Sequence, residues 1–239
     1  MKVSYSILTT PRKEPYLQRT IASLEKSGFF ADHSCLPLNL VSGSPEPEHL
    51  NAYRHDARFA VHDMSKEEAD RHLFEHAGVA LRATWGHRRC LHSWRANEGS
   101  EAVCVMEDDV FVTSNFSGKV ASVIKEIRKN FGGKWVLTLY TPQSKAPLEA
   151  MNDGKKWIFR GHVGFYGAQG IVYPNRVRDE YISYLADHTI NLPHDLAMPE
   201  VMKKLGIPIL GSAPCLVQHM GSVSQGVSGP YHRSESFVE

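Results

Sequence analysis

Hydrophobic and polar positions repeat with two different periods along the first half of the chain. Apolar runs of about four to eight residues indicate strands, and apolar residues at every third or fourth position indicate amphipathic helices. One such helix carries Leu17, Ile21 and Leu24 on one face and is followed by Gly28, a common helix stop. The pattern predicts strands over about 3–10, 36–41, 58–61, 102–106, 110–112 and 135–140, and helices over about 16–26, 65–76, 79–96 and 116–130.

The second half is less regular. It predicts helices over about 175–187 and 195–205, an aromatic-rich stretch over 156–173 and a strand-like segment over 207–220. Alternation of strands and helices favours an α/β fold, with a mostly parallel sheet covered by helices on both faces. We expect a single domain in which residues 1–112 form a binding half, residues 113–220 form a second, catalytic half, and residues 221–239, rich in Ser and Gly, form a mobile tail.

Composition narrows the class of protein. The 239 residues are 42% hydrophobic and 22% charged with a net charge of +1, which is ordinary for a globular protein and gives no general attraction to nucleic acid. The four cysteines lie far apart in the sequence, so we expect no disulfide framework and a reducing compartment. No apolar run approaches the roughly 20 residues of a membrane span, and the first residues are too few and too polar for a signal peptide. These features predict a cytoplasmic location.

The unusual feature of the chain is the acidic run Glu107-Asp108-Asp109, which directly follows the apolar run over 102–106. Carboxylates seldom follow a buried strand so closely unless they are paired or bind a cation. Hard divalent cations prefer oxygen ligands, and the carboxyl ends of parallel strands meet at one edge of a sheet. The sequence therefore predicts a divalent-metal site at that edge, where Thr9, Thr10, Ser42, Gly43 and Asp63 are also expected.

Several short segments carry a resemblance to a known family. A strand that ends in Glu-Asp-Asp resembles the position of the Asp-x-Asp motif in GT-A glycosyltransferases. Segments 6–10, 107–110 and 218–219 are similar to those of the N-acetylglucosaminyltransferases that branch N-glycans, and the run Gly-Ala-Gln-Gly over 167–170 follows in the same order. The resemblance implies a single GT-A domain that moves a sugar from a nucleotide sugar to an acceptor hydroxyl with manganese, or magnesium, as the metal.

The same resemblance implies roles for individual residues. Asp109 and His219 would bind the metal, while Glu107 and Asp108 would reach the ribose and assist the metal. Asp195 would be the general base of an inverting transfer, because such a reaction needs a carboxylate that takes the proton of the attacking hydroxyl. We expect Asp195 to cap a helix that runs to about residue 205, with Pro199 leaving the register open; retention of configuration also stays open.

The remaining candidate residues bind the two substrates. On the donor side we place Thr9, Thr10, Arg12, Asp63 and Arg89: Asp63 would meet the N–H edge of a base, and Arg89, or its neighbour Arg88, would clamp the diphosphate. A UDP-sugar is the favoured donor, and the acceptor is a glycan, lipid, protein or modified nucleobase. On the acceptor side we place Gln169 and Tyr166, with Trp157 and Phe165 beside them.

Other interpretations compete with this one. A nucleotidyltransferase can use a related sheet, although the segment Pro11-Arg12-Lys13 has no glycine for a phosphate loop. A module that binds a sugar or nucleotide without catalysis is a third possibility. The segment over 72–76 matches the zinc pattern His-x-x-Glu-His, which places two histidines on one helix face but leaves the acidic run at 107–109 unexplained.

Overall fold

The computed structural model of the chain describes residues 1–71, 76–93, 97, 99–142, 144–162, 165, 168–188, 192–220 and 233–239. These ranges contain both strands and helices, as an α/β fold requires. The strands are β1 (Val3–Thr9), β2 (Leu38–Ser42), β3 (Phe59–His62), β4 (Ala102–Glu107), β5 (Val110–Val112), β6 (Val136–Thr138), β7 (Trp157–Phe159), β8 (Gly170–Pro174), β9 (Ile209–Ser212) and β10 (Val217–His219). The α-helices are α1 (Tyr16–Lys26), α2 (Lys66–Arg71), α3 (Val79–Ser93), α4 (Phe116–Phe131), α5 (Ala146–Asn152), α6 (Asn175–Asp187) and α7 (His194–Lys204).

Eight of the strands form one mixed sheet in the order β3-β2-β1-β4-β8-β6-β9-β7. Strands β3, β2, β1 and β4 are parallel, as the sequence predicts for the first half. Strand β8 is antiparallel to both of its neighbours, β4 and β6, and β7 is antiparallel to β9. Strands β6 and β9 are parallel to each other and run in the same direction as the first four strands, because β8 is antiparallel to both β4 and β6. The prediction of a mostly parallel sheet is therefore confirmed, and within this sheet β8 and β7 run the opposite way, which makes it mixed.

Helices cover both faces of this sheet, which confirms the expected layering. Alternate residues of β4 point to opposite faces, as the pleat of a strand requires. Cys104 and Met106 belong to the apolar cluster that contains α1 and α4, whereas Val103 and Val105 belong to the cluster that contains residues of α3, α6 and α7. Because β4 is covered on both faces, its sequence is a continuous apolar run rather than an alternating one.

Element boundaries agree best where the sequence pattern is strongest. Helices α1 and α6 occupy the predicted residues, because each has a clear apolar stripe and is preceded by proline. The segment predicted as one strand over 207–220 is two strands, β9 and β10, which belong to different sheets. Helix α5 was not predicted.

A second, two-stranded sheet carries the chain away from the main one. Strand β5 begins three residues after the end of β4 and pairs with β10 in antiparallel register, so that His219 lies opposite Val110. The acidic run thus lies at the point where the chain leaves the large sheet, and β10 brings the C-terminal histidine to the same point.

The last described residues are packed rather than loose. Ser236 is buried and accepts a hydrogen bond from the backbone N–H of Cys215, and the Thr113 hydroxyl donates to the carbonyl of Val238. The Ser234 N–H also donates to the side-chain oxygen of Gln218 on β10. Residues 233–239 thus contact β10 and the residue after β5, residues 221–232 lie outside the described residues, and the mobility of the segment 221–239 stays a prediction.

All four cysteines are buried and none forms a disulfide, as expected from their spacing. In the part of the chain that the structure describes, no helix combines the length and the apolar character needed to cross a membrane.

Candidate functional site

Glu107, Asp108 and Asp109 lie at the edge of the main sheet where β1, β2 and β4 end. The backbone N–H of Gly43, which follows β2, donates to the carbonyl of Thr9 at 2.7 Å, so the ends of β1 and β2 are in direct contact. The predicted gathering of Thr9, Gly43 and the acidic run at one edge is confirmed.

Two hydroxyls on helix α1 fix the backbone of the acidic run. Thr20 Oγ1 accepts a hydrogen bond from the Val110 N–H at 3.0 Å and lies 2.7 Å from the carbonyl oxygen of Asp108. Ser23 Oγ accepts from the Val112 N–H at 2.9 Å. These side chains replace the neighbouring strand that β5 lacks on this side, which satisfies its buried backbone groups. Sequence reasoning missed both, although Thr20 stands out as a polar residue within the apolar stripe of α1.

Asp108 is held from the end of strand β1. Its Oδ2 accepts a 2.7 Å hydrogen bond from the Thr9 hydroxyl and a 3.4 Å bond from the Thr10 N–H, and its Oδ1 lies 2.9 Å from an Arg12 guanidinium nitrogen. Burial raises the pKa of Asp108 to about 6, with the charge of Arg12 opposing the rise and that of Asp109 adding to it. Thr9 and Thr10 therefore meet the acidic run, as predicted, and Arg12, which was predicted only as a donor-binding residue, pairs directly with its carboxylates.

Asp109 joins the acidic run to the C-terminal histidine. Its Oδ2 lies 2.9 Å from an Arg12 guanidinium nitrogen and 3.3 Å from His219 Nε2, and its backbone carbonyl accepts from the Met220 N–H at 2.8 Å. Burial would raise the pKa of Asp109, but the hydrogen bond with His219 and the electrostatic interactions with His219 and Arg12 lower it below its ordinary value. Asp109 Oδ1 is buried and accepts no hydrogen bond from the described residues.

Glu107 contacts Gln169, the residue that precedes strand β8. The Gln169 side-chain amide donates to Glu107 Oε2 at 3.2 Å, and the Glu107 N–H lies 3.4 Å from the carbonyl of Gln169. Burial, together with the negative charges of Asp109 and Asp195, raises the pKa of Glu107 well above its ordinary value. Gln169 thus belongs to the site, and its neighbour there is a carboxyl group that resists ionisation.

Asp195 lies in the first turn of α7, close enough to Glu107 for its charge to raise the pKa of that residue. The prediction that Asp195 caps the helix is wrong: Pro193 occupies the cap position, and the helix begins at His194. A proline can precede the first turn because the N–H groups there have no helical partner. Pro199 lies inside the helix, and the helix continues beyond it to Lys204. The first turn still holds the carboxylate of Asp195 near the positive end of the helix dipole.

A buried polar network lies beside Asp195. Tyr173 on β8 shares its hydroxyl with His87 Nε2 at 3.1 Å and with His194 Nε2 at 3.2 Å, and the two imidazole rings stack with their centroids 3.5 Å apart. Burial lowers the pKa of His87 well below its ordinary value and that of His194 to about 3, so both rings are neutral. The network joins α3, β8 and the start of α7. Nothing in the sequence pattern marks these three residues as neighbours.

Asp63 directly follows β3, and the side chain of Arg89, on α3, reaches the ends of β2 and β3. The Arg89 guanidinium donates to Glu68 Oε1 at 2.7 Å and to the carbonyls of Ser42 and Asp63. The Asp63 carboxylate pairs with Arg54 at 2.8 Å. Arg89 thus joins the ends of β2 and β3 to α2, and among the described residues these contacts involve none of the three carboxylates of the acidic run. The predicted donor-binding roles of Asp63 and Arg89 stay predictions.

The aromatic residues expected on the acceptor side have different surroundings. Phe165 is buried in the core with residues of α6 and α7. Trp157 lies on β7, the edge strand separated from β4 by three others, and packs against Phe131 of α4 and against Phe159. Both rings take part in apolar packing, and their predicted place on the acceptor side stays a prediction. Tyr166 lies outside the described residues, as do His72 and Glu75 of the zinc pattern.

The residues at the acidic run fit a divalent cation in part. Asp109 offers a buried carboxylate oxygen without a hydrogen bond from the described residues, and His219 offers an imidazole nitrogen beside it. Carboxylate and imidazole ligands suit manganese. Within the described ranges, no group of three or more His, Cys, Asp or Glu side chains is arranged to enclose a metal. A cation here would therefore need further ligands from substrate oxygens or water, as magnesium commonly does.

Comparisons with known proteins add no family to this picture. No protein-family model matches the chain, and no curated protein matches it at a significant level.

Proposed function

We propose that this chain is a metal-dependent glycosyltransferase of the GT-A type, which moves a sugar from a nucleotide-sugar donor to an acceptor hydroxyl with inversion. The observation that carries the proposal is the position of Asp109: it is buried at the edge of the sheet, contacts His219, and retains one carboxylate oxygen without a hydrogen-bond donor among the described residues. The mixed α/β sheet with helices on both faces is compatible with a GT-A fold.

On the donor side, Asp109 and His219 would hold manganese, or magnesium. When bound, the metal would supply electrostatic stabilisation to the diphosphate leaving group. Thr9, Thr10 and Asp108 form a hydrogen-bonded group at the end of β1, the place where parallel strands present side chains to a nucleoside. Their hydroxyl, amide and carboxylate groups can bind the ribose of a UDP-sugar.

On the acceptor side, Asp195 is the proposed general base. Its carboxylate would take the proton from the acceptor hydroxyl while the hydroxyl oxygen bonds to the anomeric carbon of the sugar and the bond from that carbon to the nucleoside diphosphate breaks. Asp195 lies in the first turn of α7, near enough to Glu107 for its charge to help raise the pKa of that residue, so that Glu107 favours its protonated form. Gln169, hydrogen-bonded to Glu107, would position the acceptor.

The test is a panel of nucleotide sugars incubated with the purified protein, with manganese or with a chelator. We expect release of a nucleoside diphosphate that requires manganese, slowly without an acceptor and faster with one. Asp109→Asn should abolish this release while the circular dichroism spectrum and the melting temperature show a folded protein. Asp153→Asn, which changes an exposed carboxylate after α5, is the matched control and should retain activity.

Other results would give a different function. Production of pyrophosphate from a nucleoside triphosphate and a sugar phosphate would identify a nucleotidyltransferase. Thermal stabilisation by nucleotide sugars without any turnover would identify a binding module. Full activity in Asp109→Asn would remove this residue from the site.

A further inference from the structure

Arg12 occupies the centre of the acidic site. One of its terminal guanidinium nitrogens lies 2.9 Å from Asp108 Oδ1 and the other lies 2.9 Å from Asp109 Oδ2, so a single cation bridges two carboxylates. The side chain is 18% exposed, and the guanidinium lies 5.4 Å from the centre of the Tyr16 ring. Burial would lower the pKa of Arg12, but the charges of Asp108 and Asp109 raise it.

This ion pair meets a physical need of the protein without ligands. Glu107, Asp108 and Asp109 are adjacent, and the latter two are buried. Buried carboxylates at such short range repel each other unless a positive charge compensates them. Arg12 supplies this charge from the loop between β1 and α1.

A divalent cation would compete with Arg12 for the same oxygens. Asp109 Oδ2 already contacts both Arg12 and His219. A metal bound by Asp109 and His219 would lie within a few ångströms of the guanidinium, and two positive charges at that separation repel strongly in a partly buried site. The metal can bind well only if the guanidinium leaves the carboxylates.

We propose that Arg12 is a resident counter-ion of the donor-free site, and that it moves from Asp108 and Asp109 to the diphosphate of the donor when nucleotide and metal bind together. This inference rests on the proposed function. A guanidinium binds phosphate oxygens through two parallel hydrogen bonds, so the displaced side chain gains a new anionic partner. Metal and nucleotide binding are then coupled: each strengthens the binding of the other by the same factor.

The experiment measures Mn²⁺ binding directly, by the electron paramagnetic resonance signal of free Mn²⁺, with and without UDP. Arg12→Gln should bind Mn²⁺ alone at least about tenfold more tightly than the wild type, within the usual range of coupling between sites. UDP should strengthen Mn²⁺ binding strongly in the wild type and much less in Arg12→Gln.

Arg19→Gln is the matched control. Arg19 is exposed on α1 and lies over the ring of Phe111 on β5, so its removal changes the net charge equally near the site without touching a carboxylate. This variant should bind Mn²⁺ as the wild type does. If Arg12→Gln does not fold, Arg12→Lys serves instead: one ammonium group cannot span both carboxylates as the guanidinium does, and Mn²⁺ should again bind more tightly than in the wild type.

Equal Mn²⁺ affinities in the wild type and both Arg12 variants would overturn the inference, as would equal tightening in Arg19→Gln. The outcomes that reject the proposed function differ from those that reject the counter-ion role of Arg12. Tighter Mn²⁺ binding in Arg12→Gln without turnover of any nucleotide sugar would reject the transferase and keep the counter-ion. Turnover in the wild type together with equal affinities would reject only the counter-ion.

Discussion

The hydroxyl of Thr20, on helix α1, lies 2.7 Å from the carbonyl oxygen of Asp108, 88 positions further along the chain. The Thr20 hydroxyl oxygen also accepts a hydrogen bond from the Val110 N–H. Through this one side chain, helix α1 holds the backbone of the acidic run at the point where the chain leaves the main sheet.

Thr20→Val should therefore disturb both stability and the acidic site. Valine preserves the volume of threonine but cannot accept the buried Val110 N–H, and an unsatisfied buried group costs about 1–3 kcal/mol. We expect chemical denaturation to show a loss of that size. Thr20→Ser keeps the hydroxyl and should retain more of the stability. An equal loss in both variants would show that the methyl group, and not the hydrogen bond, is what matters.

Asp195→Asn should slow glycosyl transfer and spare donor binding. An amide cannot take the proton of the acceptor hydroxyl, and loss of a general base typically costs about 10²–10⁴-fold in rate. Single-turnover transfer and nucleotide titration, measured on the same preparations, separate the two effects. Glu200→Gln, on the exposed side of the same helix, is the control. Unchanged transfer in Asp195→Asn would exclude this residue as the base.

Tyr173→Phe should destabilise the protein more than Tyr181→Phe. The Tyr173 hydroxyl is hydrogen-bonded to both His87 and His194, and its loss would leave two buried imidazole nitrogens without it, at a cost of about 1–3 kcal/mol. The hydroxyl of Tyr181, whose ring is stacked on that of Tyr173, is buried without a hydrogen bond to any described residue. Equal melting temperatures for the two variants would argue against the shared hydroxyl.

His194 should make the protein less stable as the pH falls. Burial lowers the pKa of His194 from its ordinary value of 6.5 to about 3, so below pH 6.5 the unfolded chain binds a proton that the folded chain does not. Stability from this residue is complete above that pH and is lost on acidification, by about 2 kcal/mol between pH 7 and pH 5. The raised pKa values of Glu107 and Asp108 act in the opposite direction, because folding favours their protonated forms.

A comparison with His194→Gln isolates this effect, because the two carboxyl groups are present in both proteins. Urea denaturation at several pH values should give the wild type the larger loss of stability on acidification. Parallel pH profiles would mean that His194 is protonated in the folded protein.

The sequence predicted the parts of the fold that depend on local pattern. Helix α1 was located correctly because its apolar stripe and its flanking residues act within a few positions. The direction of β8 was not, since an apolar strand has the same pattern whichever way its neighbours run. The site shows the same division. The acidic run was found from its unusual composition, whereas the ion pairs of Arg12 join residues 96 and 97 positions apart and have no signature in the sequence.

Reversal of β8 has a consequence for how the site can change. At this edge of the sheet the chain departs from β1, β2 and β4, but it arrives at β8, so Gln169 stands on an incoming segment beside Glu107, which stands on an outgoing one. Different segments of the chain thus supply Glu107 and its hydrogen-bond partner. A substitution or insertion before β8 can reshape the side assigned to the acceptor without altering the carboxylates after β4. The segment before β8 and the acidic run after β4 can therefore change independently of each other.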